Sequence, residues 1–206
     1  MSAPSVRALA VAALLLVGPL AACSGSDDGA ADTSTSTSAA ADGATTAPSG
    51  QGATEAPTAC VDAEPIEPGV IEGKPETVEL PDVPPTDEAV TTVLREGDGP
   101  EVTDASYVTV HYVGVACSTG IAFDSSWDRG EPIVAALGTA VPTATAFQVI
   151  PGWTDGLVGQ NEGSLVQVDL PPSLAYGETG AGGAIGPNEP LTFVIELVAV
   201  SEVAPA

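Results

Sequence analysis

Apolar and polar residues alternate with a period of two in three stretches of the second half of the chain. In Tyr107–Gly114, YVTVHYVG, the residues Val108, Val110 and Tyr112 share one face, with Thr109 and His111 on the other. That is the pattern of a strand with one side in a core, and it points Tyr112 inward and His111 toward solvent. Leu165–Leu170, LVQVDL, groups Val166, Val168 and Leu170 and stops at Pro171 and Pro172. Leu191–Val200, LTFVIELVAV, groups Leu191, Phe193, Ile195 and Leu197. Between these strands lies IPGWTDGLVG, where Ile150, Trp153 and Leu157 recur at helical spacing and Pro151 suits a first helical turn. Gly156 and Gly159 weaken that helix, so it is predicted to be short. With a hairpin-type turn at Ser118-Thr119-Gly120, the fold class is α+β, an antiparallel sheet with a helix on one face.

The first half reads differently. Arg7 precedes the apolar run ALAVAALLLVGPLAAC, which starts at Ala8 and ends at Cys23. A charged start, a short apolar centre and a small-residue end are the layout of a secretory signal, and the run is too short for a comfortable membrane span of about 20 residues. Leu20-Ala21-Ala22-Cys23 resembles a bacterial lipobox, which implies a signal peptide over 1–22 and a lipid on Cys23; the alternative is an ordinary signal that ends near a cysteine. Residues 24–59 contain no Leu, Ile, Val, Met or aromatic residue and cannot bury enough apolar area to offset ordering entropy. Residues 23–59 are therefore expected to form a disordered tether with a reach of roughly 30–36 Å. Residues 60–92 are rich in Pro and Glu, with one strand-like piece at Thr77–Leu80, and read as an extended arm packed on a domain spanning 93–206. The expected location is the extracytoplasmic face of the cell membrane, held by the lipid alone.

Charge narrows the function. The chain carries 28 Asp+Glu against 4 Lys+Arg, a formal net charge of −24, which excludes a nucleic-acid interface built on basic clusters. Aromatic residues run only from Tyr107 to Phe193, so the packed body lies in the second half. With Cys23 set aside, Cys60 and Cys117 are expected to pair in a compartment where disulfides persist; two free thiols are the alternative. Two cysteines and one histidine at these spacings do not make a tetrahedral metal site. Conventional catalytic motifs are missing, among them HExxH, GxSxG and a Walker loop. The run GETGAGGAIG, from Gly177 to Gly186, holds no Lys or Arg to cradle a phosphate. An enzyme built from such residues acts by binding and desolvation.

The pieces VTVHYVG, FDSSWDRG, Leu137-Gly138, VIPGW, PPSLAYG and LTFVIEL follow one another over roughly 93–200. In that order they resemble the FKBP-type peptidyl-prolyl isomerases. The resemblance implies a bent antiparallel sheet of five or six strands wrapped on the short helix, with a pocket between them that needs no cofactor. By that resemblance Tyr112, Phe123, Val149, Ile150, Trp153, Ile185 and Phe193 line the pocket, with Trp153 as its floor. Asp124 and Tyr176 supply its polar groups, and the Ile150 N–H and the Tyr176 hydroxyl hold substrate carbonyls. Arg129, the only Lys or Arg from Tyr107 onward, pairs with Asp124; a surface pair with Asp128 is the alternative. Three features depart from the family pattern. Ile133 joins the substrate wall where the family often has Phe. Ala181 and Ala184 stand where bulkier residues are common, and Thr139–Gln148 is longer than usual. Phe147 reads as loop packing more than as a pocket contact. Trp127 is either an exposed rim aromatic or packed against the arm. The partners implied are proline-containing polypeptides and macrolide inhibitors, and a monomer is expected. The function implied is prolyl isomerisation assisting exported proteins; a binding module of the same fold with little turnover is the alternative.

Overall fold

The computed structural model describes residues 55–205. The expected signal peptide, Cys23 and most of the tether lie outside the described residues. An extended segment leads into β1 (Val90–Arg95), β2 (Tyr107–Ala116), β3 (Ala122–Ser125) and a one-turn helix α1 (Ser126–Arg129). Then come β4 (Ile133–Ala136), β5 (Ala146–Gln148), α2 (Pro151–Leu157), β6 (Leu165–Leu170), two short 3-10 turns (Pro172–Leu174 and Gly177–Thr179) and β7 (Leu191–Ser201). One seven-stranded sheet runs in the order β1-β6-β7-β2-β4-β5, with β3 paired to β2. The architecture is α+β, as expected, with one correction: β4 and β5 pair in parallel, Val134 opposite Ala146. The longer Thr139–Gln148 connection carries the chain back along β4 instead of closing a hairpin, which is what a parallel pair requires.

The alternating residues assemble the first core layer. Val108, Val110, Val166, Val168, Leu170, Ile195 and Leu197 are fully buried, facing Trp153 and Leu157 of α2. The glycines of that helix have a packing reason. A Cβ on Gly156 would sit 2.4 Å from Val168 Cγ1, and one on Gly152 2.4 Å from Leu170 Cδ2. Both glycines weaken the helix and bring it down onto β6.

The opposite face of the sheet is not wet, which changes the expectation for His111 and decides between the two readings of Trp127. The arm covers it: Val78 is buried with Val113, Val115, Val194 and Trp127, and Ala63, Ile66, Ile71 and Leu80 pack around them. Trp127 is completely buried and packs against the arm; it is no rim aromatic. His111 is half-buried instead of solvent-facing, stacked on Trp127 with ring centroids 5.4 Å apart. Its Nδ1 lies 3.1 Å from Ser126 Oγ, and burial pushes its pKa down. Alternation identifies which residues share a face, but it does not reveal what a distant segment lays over that face.

The arm is anchored along its length. Cys60 and Cys117 form a disulfide, 57 residues apart in sequence, a closure worth about 4 kcal/mol in the loop-entropy account. Val61 N–H donates to Cys117 O at 3.0 Å and Glu64 N–H to Gly120 O at 2.8 Å. Thr77–Leu80, expected to be strand-like, forms no strand; instead the Glu79 carbonyl accepts the Gln167 side-chain amide at 2.7 Å. The expected boundary between residues 92 and 93 falls inside β1. Beneath the arm, Asp169 is buried and takes hydrogen bonds from Thr192 Oγ1 at 2.6 Å and Gln167 Nε2 at 3.1 Å. Burial raises its pKa above the ordinary 3.8, and those two donors offset only part of the rise.

A raised carboxyl pKa means that the folded state holds its proton more tightly than the unfolded chain. The stabilisation is complete below the unfolded value near 3.8 and is lost as the pH rises through the folded one. Thermal melting of the chain and of Asp169→Asn should therefore diverge with pH, the wild type losing ground to the variant as the pH climbs above that value. A constant difference across the range would contradict this account of Asp169.

Candidate functional site

Six elements and two connecting segments converge on one cavity of about 450 Å³, a size suited to a small ligand or side chain. Its aromatic lining comes from Tyr112 on β2, Phe123 on β3, Trp153 on α2 and Phe193 on β7, with Tyr176 between the two 3-10 turns. Ile133, Val149 and Ile150 complete the apolar wall. Trp153 lies edge-on to Tyr112 (centroids 5.2 Å, 76°) and to Phe193 (5.4 Å, 79°), and Phe123 lies edge-on to Phe193 (5.8 Å, 89°). T-shaped contacts of this kind suit the ring quadrupoles and lock each ring against the next.

Gly114 on β2 makes room for this arrangement. A Cβ there would stand 2.5 Å from Phe123 Cζ and 2.8 Å from Phe193 Cε1. Any other residue would push two of the rings into the cavity. Ile150 is the cap of α2, and Pro151 opens that helix. The cap geometry turns the chain at the cavity wall and drops Trp153 underneath, where its Nε1 has no protein hydrogen-bond partner.

One polar edge interrupts the apolar lining. The Tyr112 hydroxyl donates to Asp124 Oδ2, and Arg129 Nη1 donates to Asp124 Oδ1. Arg129 Nη2 also donates to the Tyr112 oxygen at 3.0 Å, with Cζ 5.5 Å from the Tyr112 ring centroid. Asp128, the competing partner for Arg129, is held by Lys74 instead, at 2.6 and 2.8 Å. The guanidinium's two donors therefore set the direction of a carboxylate and a phenol together, which a single ammonium does not do. Asp124 and Arg129 side chains are 40% and 45% exposed, so the pair adds little stability; its effect is orientation. Burial, and then the hydrogen bond to Asp124, push the Tyr112 pKa up to about 12. Burial and the Asp124 charge also raise Tyr176. Both phenols stay protonated donors at neutral pH.

The structure brings together every residue expected at the pocket except Ile185. That side chain is buried in the same core cluster as Tyr112, Trp153 and Phe193, and its backbone exchanges two hydrogen bonds of 3.0 Å with Ala181. Ala184 is exposed. Two residues of β5 enter the lining that sequence reading did not place there. Phe147, expected as loop packing, faces the cavity and is 58% exposed, and Gln148 stands beside it. The sequence signal for this was weak, because three residues of a parallel edge strand are too few to show a period. The link is tied to the domain: Tyr107 Oη donates to Val141 O at 2.9 Å, Thr143 Oγ1 accepts from Ala146 N–H at 3.1 Å, and Ala146 is fully buried.

Residues 99–198 match the family model described as FKBP-type peptidyl-prolyl cis-trans isomerase. An FK506-binding protein of Streptomyces anulatus is 46% identical over 131 residues, covering 60% of this chain and 99% of its own length. An FK506-binding protein of Neisseria meningitidis serogroup A is 40% identical over 109 residues, covering 53% of this chain and 93% of its own. Among solved structures, FkpA from Escherichia coli is 37% identical and covers 54% of this chain and 47% of its own, with a TM-score of 0.46.

The Tyr112 titration tests the polar edge directly. Asp124→Asn removes the negative charge and leaves a weaker, neutral acceptor for the phenol proton, so the Tyr112 pKa should fall from about 12. Because burial is the larger cause, it should stay above the ordinary 10.0. Phenolate absorbance, assigned with Tyr112→Phe, reads the shift; an unmoved titration would remove Asp124 from the account.

Proposed function

The chain belongs to the FKBP-type peptidyl-prolyl cis-trans isomerase family, and on that premise we propose how its cavity turns a prolyl bond. The protein is a peptidyl-prolyl isomerase. The substrate proline enters the cavity over the Trp153 indole, between Tyr112, Phe123 and Phe193. Rotation about a peptide bond faces a barrier of about 18–20 kcal/mol because the twisted form loses resonance. The planar amide has a large dipole that water stabilises, and the twisted form has less charge separation. A dry aromatic lining therefore disfavours the planar state relative to the twisted one, which is selective stabilisation of the transition state. The Ile150 N–H and the Tyr176 hydroxyl hold the flanking carbonyls, and Asp124, aimed by Arg129, faces the rotating imide. The carrying observation is the convergence of six aromatic side chains on one cavity with a single oriented carboxylate at its edge. The same lining suits the macrolide ligands of the family.

A protease-coupled assay with a Xaa-Pro peptide tests this reading. Phe193→Ala should lower kcat/KM by at least about tenfold, as expected when one wall of a packed site is removed. Asp124→Ala should lower it with the fold retained. Peptide binding by the wild type without acceleration would instead make the protein a binding module of this fold.

The setting proposed for the activity is the outer face of the cell membrane, where a monomer held by a lipid on Cys23 assists exported polypeptides. The support is the apolar run from Ala8 to Cys23, the stretch without large apolar residues that follows it and the Cys60–Cys117 disulfide. Cys23→Ser should move the protein from the membrane fraction to the soluble one. Retention in the membrane fraction would reject the lipid anchor.

A further inference from the structure

The arm meets the catalytic pocket through α1, which is only four residues long. A single turn has no stability of its own, since nucleation fixes several residues for one hydrogen bond. Its pose therefore comes from what grips it. Trp127 O accepts the Val70 N–H at 3.0 Å. A Cβ on Gly69 would come within 2.9 Å of Trp127 Cβ, so the arm lies as close to the helix as a backbone can. The next residue, Asp128, receives both hydrogen bonds from Lys74, whose side chain is only 5% exposed. The residue after that is Arg129, which turns the other way, to Asp124 and Tyr112. Three consecutive residues thus link the arm to the reacting edge of the cavity.

We propose that the arm is part of the isomerase apparatus, with Lys74 a positioning residue that acts through α1 and Arg129 on Asp124. The ammonium of Lys74 is withdrawn from water, and a withdrawn charge left unpaired is costly, so the arm binds Asp128 at one place only. The backbone clasp at Gly69 and Val70 fixes the other side of the turn. Together they leave Arg129 a short reach and one direction, which is what an oriented carboxylate requires. The arm cannot drift away, because the Cys60–Cys117 disulfide holds its start and β1 its end. On this view the segment before the family domain is a support for the reaction, and the disulfide secures that support. The inference rests on the isomerase reading.

A double-mutant cycle on the full chain decides it. Lys74→Met keeps the aliphatic stem and removes the charge. It should lower kcat/KM for a short Xaa-Pro peptide by about tenfold, within the hundredfold that a misplacement of about 1 Å can cost. Lys74→Arg should restore most of the rate. In an Arg129→Ala background Lys74→Met should cost nothing further, because its route to the pocket is gone. Gly69→Ala, which pushes on Trp127 from the clasp, should behave in the same way and serves if Lys74→Met does not fold by circular dichroism. Wild-type rates in both variants, or an equal loss with and without Arg129, would overturn the proposal. If the wild type itself fails to accelerate the peptide, the isomerase reading fails instead. FK506 affinity, which needs the pocket but no turnover, is then the readout for the same cycle.

Discussion

The pairing of β2 with β7 governs everything built on it. Ten consecutive residues of β2, Tyr107 to Ala116, find partners on β7 in one antiparallel register with a single shift after Thr109. A slip of one residue would send every side chain to the opposite face. With the register as it is, Tyr112 and Phe193 look into the cavity from neighbouring strands, while Val113 and Val194 look into the layer under the arm. Gly114 lies opposite Phe193, and the missing side chain at that position becomes the space for two aromatic rings.

Function follows from how little polar chemistry the cavity contains. The lining is aromatic and aliphatic, and its polar groups are phenols that stay protonated, one amide and one carboxylate. In a chain with a net charge of −24, that carboxylate is distinguished by direction. Arg129 and the Tyr112 hydroxyl each bond one of its oxygens and fix it at the edge of the cavity. The strong acidity of the rest of the surface favours solubility and has no part in shaping the pocket.

The two layers of the molecule are less independent than a domain with an appended arm would be. Both cores share the same strands, and α1 lies at their junction with Trp127 in one layer and Arg129 at the edge of the other. Ser126 adds a further link, accepting the Tyr112 N–H at 2.8 Å while it lies beside His111 under the arm. A change in how the arm seats would be felt at the cavity through contacts that already exist.

Much of this was readable in the residues before any coordinates. The two-residue periods located β2, β6 and β7 and their inward faces, and the helical spacing of Ile150, Trp153 and Leu157 located α2. These are local patterns, set by geometry within a few residues. The order of the motifs pointed to the pocket and to the pairing of Arg129 with Asp124. What the residues alone left open depended on contacts distant in sequence. The burial of His111 and Trp127 under the arm, the burial of Ile185 and the entry of Phe147 into the cavity are all of this kind. So are the parallel pairing of β5 and the capture of Asp128 by Lys74, 54 residues away. A period tells which side chains point the same way, but only the folded chain brings a remote segment against them, and that segment decides whether a face is wet, dry or catalytic.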